Sequence, residues 1–566
     1  MRWTLKPKPD VTKVEHLKDQ LQINDVIAAL LVQRGIETFH DAKHFFRPNL
    51  EDLHDPFLMK DMEAAVSRIE KAINSGEHIL VYGDYDVDGT SSVALMSTYL
   101  TTRTRTVATY IPDRYEEGYG VSYKGIDFAH DNDFSLIIAL DCGVKAIDKV
   151  LYAKNKGIDF IICDHHRPAA QLPGAVAVLD PKRQDCTYPY KELCGCGVGF
   201  KLIQALNSKE GKSIDALTAY LDLVVLAIGA DIVPITGENR VLAYFGLQVV
   251  NSNPRPGIEI ILRQANKQNI TITDLVFRVA PRINAAGRMK HGNYAVTLLS
   301  ETDVILVNEY AAEIEQFNLD RRETDKQITN EALQLIKDDK EEEKMTTIVF
   351  KDTWHKGVIG IVASRLIETY YRPTIVFTKS GDFLAASARS IPGFDIYNAL
   401  ESCSEHIEQF GGHKYAAGLT IEKKQFEAFK SAFEAAVQER ILPEQRIPTV
   451  GYDIEVAFEE LTPKLFRILE QLGPFGPQNM RPVFRTNKAV DTGYSKAIGK
   501  DFSHLRLSVQ TKAGPLTGIA FGRADFLPQI QTKQPFDLVY TLDENEWNGQ
   551  TSLQLKVKDI LPYAPK

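Results

Sequence analysis

The sequence predicts an α/β protein. A parallel-sheet domain and a second α/β lobe are joined by a long helix, and a small C-terminal all-β barrel follows. Three observations carry this. From residue 61 onward, short apolar, β-branched runs alternate with helical patterns, as in βα units around a buried parallel sheet. After Gly292 no glycine or proline occurs before Gly357, and Val307, Tyr310, Ile314, Phe317, Ile328, Ala332 and Leu335 recur at helical spacing. Beyond residue 446 the pattern turns to strand-like alternation, as at Leu505, Leu507 and Val509 and again at Leu553, Leu555 and Val557.

A chain of 566 residues suggests three or four domains of about 150 each. Residues 1–60 are mixed and polar, with a helix predicted at 14–34, and read as a cap on the domain that follows. The first α/β domain occupies 61–300, with helices at 62–74, 90–99 and 145–156 and strands at 78–82, 106–111, 136–140, 158–163 and 175–179. The connecting helix falls in 301–345 and closes on the charged tail 337–344. The second lobe, 346–442, has strands at 346–350, 374–378 and 383–388 and helices at 358–370 and 423–440. Pro443 to Pro448 reads as a linker to the barrel at 446–566, where an Asn548-Gly549 turn precedes the last strand.

The net charge of -9 argues against wholesale coating of nucleic acid but leaves room for a local basic channel. No apolar run is long enough to span a bilayer, the first residues lack a secretory signal, and no membrane partner is expected. Six cysteines are too few for a disulfide scaffold, which suits a reducing cytoplasm.

The chemistry concentrates in GDYDVDG (83–89). Three carboxylates, Asp84, Asp86 and Asp88, follow the apolar run of the first strand at alternate positions. Two carboxylates some 4 Å apart repel by roughly 4 kcal/mol at an effective dielectric of about 20, so a cation is expected among them. Three more features join them: Asp141 after LIIAL, the triplet Asp164-His165-His166 after IDFIIC, and Asp231 at the end of the apolar helix LDLVVLAIGA. Ligands of open parallel sheets bind at the carboxyl ends of the strands, where three of these four features sit. Carboxylates with imidazole suit manganese or magnesium better than thiolate-bound zinc. Two such ions sharing a carboxylate form a clamp for attack on phosphorus. The plainer alternative for each aspartate is a helix N-cap. Cys194-Gly195-Cys196 has no second cysteine pair at matching spacing and reads as glycine-rich packing, and no Walker lysine motif is present.

Taken together, these residues resemble the DHH phosphoesterase superfamily, in its branch of exonucleases that degrade single-stranded DNA from the 5′ end. GDYDVDGT, ALDCGV, CDHH and AIGADIVPITGENR match the core motifs. APRINAAGRM, WHKGVIGIVASR, SARS and GGHKYAAG match the rest, the last being a signature of the DHH-associated lobe. The resemblance runs from about residue 60 to the C-terminus. It implies a DHH domain, a DHH-associated (DHHA1) domain and an OB-fold barrel that binds nucleic acid. It also implies two divalent cations, Mn2+ or Mg2+. Asp84, Asp86 and Asp141 would hold one, and Asp88, Asp141, His165 and Asp231 the other. His166 would face the substrate or support the site. Many relatives carry a histidine where this chain has Tyr82, and the nuclease branch uses the aspartate at 84 instead.

On the substrate side, the resemblance implies that Arg282, Ser387 and Arg389 anchor a terminal 5′ phosphate. Arg288, Arg114 and His413, the last read in a Gly-Gly turn, are further candidates for contact with the strand. Tyr110, Tyr115 and Tyr119 are read as core or rim aromatics. Lys496, Lys500 and Arg506 are candidates for the barrel's basic groove. The expected function is a two-metal exonuclease releasing mononucleotides from the 5′ end of single-stranded DNA in repair and recombination. The expected form is a monomer in a bacterial cytoplasm, served by a single-strand-binding protein and a helicase. The alternatives are a DHH phosphodiesterase of short oligonucleotides and a non-catalytic replication scaffold.

Overall fold

The computed structural model describes residues 1–264, 267–547 and 550–562. It divides into two compact units. The larger comprises residues 3–284, 292–311 and 450–566, and the smaller residues 1–2, 285–291 and 312–449. The predicted Asn548-Gly549 turn lies outside the described residues.

The larger unit is built on a five-stranded sheet: β1 (His78–Gly83), β2 (Val107–Tyr110), β3 (Phe134–Leu140), β4 (Asp159–Cys163) and β5 (Ala177–Leu179). All pairings are parallel and the order is β2–β1–β3–β4–β5. The chain direction across the sheet therefore reverses between β1 and β3, the switch point where such folds open a crevice for ligands. Leu136 through Leu140 on β3 are wholly buried. Each large aliphatic side chain so placed contributes about 1.5–3 kcal/mol, which offsets the cost of crowding acids at the strand ends.

Helices complete this domain, among them α1 (Met62–Ser75), α2 (Val87–Thr101), α3 (Gly195–Lys209), α4 (Leu221–Ala230) and α5 (Gly237–Ser252). The sequence pattern places the start of α2 at Thr90, but the helix begins inside the acidic motif, because Asp86 accepts the Gly89 N–H at 3.0 Å and caps it. Gly89 must be glycine, since a Cβ there would lie 2.4 Å from the Asp84 carbonyl oxygen. Next come α6 (Ala280–Met289), entered through a π-helical turn at Leu275–Val279, and the 35-residue helix α7 (Val304–Asp338). The long connecting helix expected from the missing glycines and prolines is thus present.

The helix predicted at 14–34 is two helices, Val11–Leu21 and Asp25–Val32. Gln22 turns left-handed at φ 52°, and Asn24 caps the second helix by accepting the Ile27 N–H. The run VIAALLV is buried throughout, so it needs apolar partners on every side. It finds them in the C-terminal sheet: Leu17, Ile27, Leu30 and Leu31 share a core with Leu465, Phe484, Leu505 and Tyr540. The segment also touches the parallel-sheet domain, where Arg240 of α5 donates to the Phe45 carbonyl.

In the smaller unit, β6 (Thr347–Phe350), α8 (Ile359–Thr369), β7 (Thr374–Ser380), β8 (Phe383–Arg389), β9 (Gln409–His413), β10 (Ala416–Glu422) and α9 (Phe426–Arg440) form a second α/β fold. Its strand order is β9–β10–β8–β7–β6, and only β6 and β7 run parallel. GGHKYAAG is a β-hairpin rather than a Gly-Gly turn: Gly411, Gly412 and His413 end β9, and Lys414-Tyr415 make the turn. Gly412 permits this pairing because a Cβ there would stand 2.3 Å from the Ala416 carbonyl oxygen.

The C-terminal sheet has seven strands: β11 (Ile454–Glu455), β12 (Phe484–Ala489), β13 (Lys496–Ile498), β14 (His504–Thr511), β15 (Gly514–Ala520), β16 (Phe536–Trp547) and β17 (Gln550–Pro562). They run in the order β11–β12–β16–β17–β15–β14–β13. Leu505, Leu507 and Val509 all face its core, as their alternation requires.

Candidate active site

The strand ends bring the acidic features to one place. Asp84 follows β1, Asp141 follows β3, His165 and His166 follow β4, and Asp231 ends α4. His165 Nε2 is their common point. It stands 3.2 Å from Asp141 Oδ1, 3.6 Å from Asp231 Oδ2 and 3.8 Å from Asp88 Oδ2. Asp88, His165 and Asp231 offer ligand atoms all within 4.8 Å of one another, as do Asp141, His165 and His166.

Each candidate ligand is held by backbone geometry. Asp88 receives the Gly195 and Cys196 N–H groups of the α3 N-terminus, both at 2.7 Å, one on each oxygen. That helix end stabilises its negative charge. The glycine-rich packing read at Cys194-Gly195-Cys196 is therefore also the seat of Asp88. Asp141 sits left-handed at φ 59°, a conformation aspartate tolerates better than most residues. Ile232, just past Asp231, is left-handed too at φ 61°. For a β-branched residue this is strained by about 1–3 kcal/mol, and it turns the chain sharply away from the ligand. The Ile235 N–H then donates to the Pro477 carbonyl at 2.8 Å, tying this loop to the C-terminal domain.

Asp164, the first residue of the triplet, is no ligand. Its oxygens accept the N–H groups of Val144, His165 and His166 and the Nδ1 of His166, all within 3.0 Å. Burial alone would raise its pKa, but these donors, led by His166, bring it down to about 2. The same pair works in reverse on His166: burial disfavours its charge, yet Asp164 carries its pKa up to about 9. The His166 ring is thus oriented by Asp164, and its Nε2 meets the Tyr119 hydroxyl at 3.2 Å. Tyr119 borders the cluster, and burial and then the Asp141 and Asp84 charges keep its phenol protonated. Asp164's orienting role was not foreseen, and Tyr119 was set aside as a core or rim aromatic; the strand-end position of EGYG, after β2, was the available signal.

The cluster has the electrostatics of a cation site. Burial, followed by the charge of Asp86, pushes Asp84 well up and Asp88 to about 7. Burial and the charge of Asp88 raise Asp141 strongly and Asp231 to about 8. His165 goes the other way, to about 3, through burial and the neighbouring His166, so its imidazole is neutral and its Nε2 lone pair is available. Both oxygens of Asp84, Asp141 Oδ1 and both ring nitrogens of His165 are buried without a hydrogen-bond partner. Orphaned acceptors of this kind cost about 1–3 kcal/mol or more each unless something binds them, and hard divalent cations fit this donor set.

Three family models match this chain. The family model for the DHH family N-terminal domain matches residues 78–228, the DHHA1 domain 342–439 and the RecJ OB domain 452–559. A single-stranded-DNA-specific exonuclease RecJ from Bacillus subtilis is 35% identical over 99% of this chain and 70% of its own length. Its namesake from Escherichia coli is 34% identical over 89% of this chain and 91% of its own. The chain belongs to the RecJ family. The crystal structure of RecJ from Thermus thermophilus in complex with Mn2+ superposes with a TM-score of 0.86 at 25% identity, covering 100% of this chain and 80% of that one. The fold expected of a RecJ protein, with DHH, DHHA1 and OB-type domains, is therefore the fold found.

The substrate residues read from the RecJ-like motifs fall into separate places. Arg114 lies beside the cluster, its guanidinium 4.0 Å over the Tyr85 ring. Arg282 is half-buried on α6, where it donates to the Arg278 carbonyl. Arg288, on the same helix, donates to the Gly357 carbonyl. In the smaller unit, Ser387 and Arg389 lie on one face of β8 with Arg389 donating to Ser387 Oγ at 2.9 Å. Gly360 leaves them room: a Cβ there would be 2.9 Å from both side chains. His413 is exposed at the end of β9 and pairs with Ala416, which in turn pairs with Arg389. On the C-terminal sheet, Lys496 and Arg506 stand directly opposite each other, a like-charge pair that favours a bound anion. Tyr494, Phe502 and Phe521 of the same domain are exposed aromatics that sequence reading passed over.

Proposed function

We propose that this protein is an exonuclease that degrades single-stranded DNA from the 5′ end to mononucleotides, using two divalent cations, Mn2+ or Mg2+, in DNA repair and recombination. One observation carries the reading. Asp88, Asp141 and Asp231 surround the neutral His165 Nε2 within 3.8 Å, with buried acceptors left open, in a chain of the RecJ family. Asp84, Asp86 and Asp141 would hold one ion and Asp88, Asp141, His165 and Asp231 the other. Bound there, the ions supply a water of lowered pKa and neutralise charge on the phosphate oxygens.

The chain's own residues set the geometry. Asp141 follows β3, the strand between β1 and β4, and so stands between the residues that follow those two strands. The α3 N-terminus fixes both oxygens of Asp88. Asp164 holds the His166 ring so that its Nε2 meets the Tyr119 hydroxyl, and the phenol hydrogen is proposed to donate to a phosphate or sugar oxygen. Ser387 and Arg389 form the anchor for a 5′ phosphate, which sets polarity, with Arg282, Arg288, Arg114 and His413 as further contacts to the strand. A helicase and a single-strand-binding protein are proposed to supply the strands, and the working form is proposed to be a monomer in the bacterial cytoplasm. Among the described residues, no helix is long and apolar enough to cross a membrane.

The test is digestion of 5′- and 3′-labelled single strands with manganese, with and without chelator, beside an Asp88→Asn control. Early release of the 5′ label as mononucleotide, lost with chelator and in the variant, is expected. Early release of the 3′ label would refute the polarity, and a wild-type protein inert with manganese would refute the enzyme.

A further inference from the structure

The loop after His166 opens onto a cavity of about 360 Å³ whose lining includes Arg167, Leu172, Lys182, Arg183 and Asp185. The charges here do not balance. Arg183 is fully engaged: Nε and one terminal nitrogen grip the two oxygens of Asp185 at 2.9 and 2.8 Å, and the other terminal nitrogen reaches Asp61 and the Val178 carbonyl. Asp185 therefore has little capacity left to neutralise a second cation. Arg167 is exposed, and among the described residues its guanidinium meets no carboxylate. The Lys182 ammonium stands 3.9 Å from Glu192, too far for a hydrogen bond.

The position is as telling as the charge. Lys182 lies just past the carboxyl end of β5, and Arg167 just past that of β4, the strand that delivers His165 and His166. These are the strand ends over which an open parallel sheet binds its ligand. The volume sits at the lower end of the range for ligand pockets, enough for one nucleotide unit rather than a duplex.

We propose that Arg167 and Lys182 form a second phosphate site on the catalytic domain, taking a backbone phosphate of the bound single strand beyond the one at the metal ligands. The guanidinium offers a planar fork to two phosphate oxygens, and the ammonium a mobile point charge. The assignment rests on the exonuclease reading. The same chemistry would also suit the phosphate monoester of a released mononucleotide, and the test separates the two.

The full chain and its Arg167→Ala, Lys182→Ala and double variants are titrated with a fluorescent thymidine oligonucleotide in chelator, between about 50 and 200 mM salt. Each lost phosphate contact on a single strand lowers the slope of log K against log salt by about 0.7, so the double variant should lose about 1.4. Its affinity should fall about tenfold, and Arg167→Lys should restore most of the slope. With manganese, the double variant should show a raised KM on the long strand and an unchanged kcat on a dinucleotide, which has no second backbone phosphate to offer. An unchanged salt slope in the double variant overturns the proposal. So does weakened inhibition by free mononucleotide with strand affinity intact, which would assign the site to product. A wild type that binds the strand but never hydrolyses it sinks the exonuclease reading, while the salt slope still judges this site.

Discussion

Replacing Gly195 by alanine should disable the metal site while leaving the fold intact. Gly195 is the first residue of α3, and its N–H holds Asp88 at 2.7 Å. A Cβ at this position would fall 2.5 Å from Asp141 Cβ, 2.7 Å from its Oδ1 and 2.8 Å from its Cα. Ordinary van der Waals contact starts near 3.4 Å, so the α3 N-terminus or Asp141 must retreat by about 0.9 Å. Either movement separates ligands that belong to one cluster. Overpacking of this kind costs about 1–3 kcal/mol. Misplacing a reacting group by about 1 Å costs roughly a hundredfold in rate, and disturbing the support of a ligand costs about 10–100-fold in metal affinity. On helix propensity alone the sign would be opposite, since alanine is favoured over glycine by about 1 kcal/mol. Gly197→Ala on the same helix is the control, because its Cβ would meet Leu193 at an ordinary 3.4 Å. The assay is Mn2+ binding by calorimetry alongside kcat on a single strand, with circular dichroism to confirm the fold. Gly195→Ala with the manganese affinity and kcat of the parent would refute the argument that α3 packs on Asp141 and seats Asp88.

Three further outcomes follow from the same contacts. Asp164→Ala leaves the N–H groups of Val144, His165 and His166 without an acceptor, so thermal denaturation should show a loss of about 3 kcal/mol, and Asp164→Asn a smaller one. Arg389→Gln removes the cation beside Ser387 and should narrow the preference for a 5′-phosphorylated over a 5′-hydroxyl strand about tenfold, measured as kcat/KM on the two substrates. Glu331 on α7 accepts from Trp354 Nε1, Lys351 and Gln327, which draw its pKa from 4.5 down to about 2. A depressed carboxylate stabilises the fold fully above its unfolded pKa and loses that contribution as pH falls toward the folded one. The melting temperature of the parent should therefore exceed that of Glu331→Gln above pH 4.5, with the gap shrinking toward pH 2; a gap independent of pH would show that the ion pair is not its source.

Much of this protein can be read from local pattern. Runs such as LIIAL are too apolar and β-branched to be anything but buried strand, and the carboxylates that follow them must then stand at strand ends. That is why Asp84, Asp141, His165 and Asp231 could be grouped although Asp84 and Asp231 lie far apart along the chain. The connecting helix was legible for a similar reason, since a stretch without glycine or proline and with helical apolar spacing has few alternatives. The misreadings share a cause as well. At 14–34 the apolar content was right but one left-handed glutamine and an asparagine cap broke the helix in two, and local propensity weighs such single residues poorly. GGHKYAAG looked like a glycine turn because glycine permits turns, whereas here it lets two strands approach closely.

By itself, then, the sequence determined the order of the three matched domains and the strand ends that carry the acidic residues and histidines, because these follow from patterns over a few residues. Tertiary structure alone decided which groups serve the ligands. Asp88 and the Gly195 N–H are 107 residues apart, and no local rule links an aspartate to a distant helix N-terminus. The same holds for Asp164 as the residue that orients His166, for Tyr119 at the cluster's rim, and for the apolar N-terminal helices that complete the core of the C-terminal sheet. Those roles depend on which surfaces meet when the chain closes, and that is set by the summed burial of whole faces rather than by any one segment.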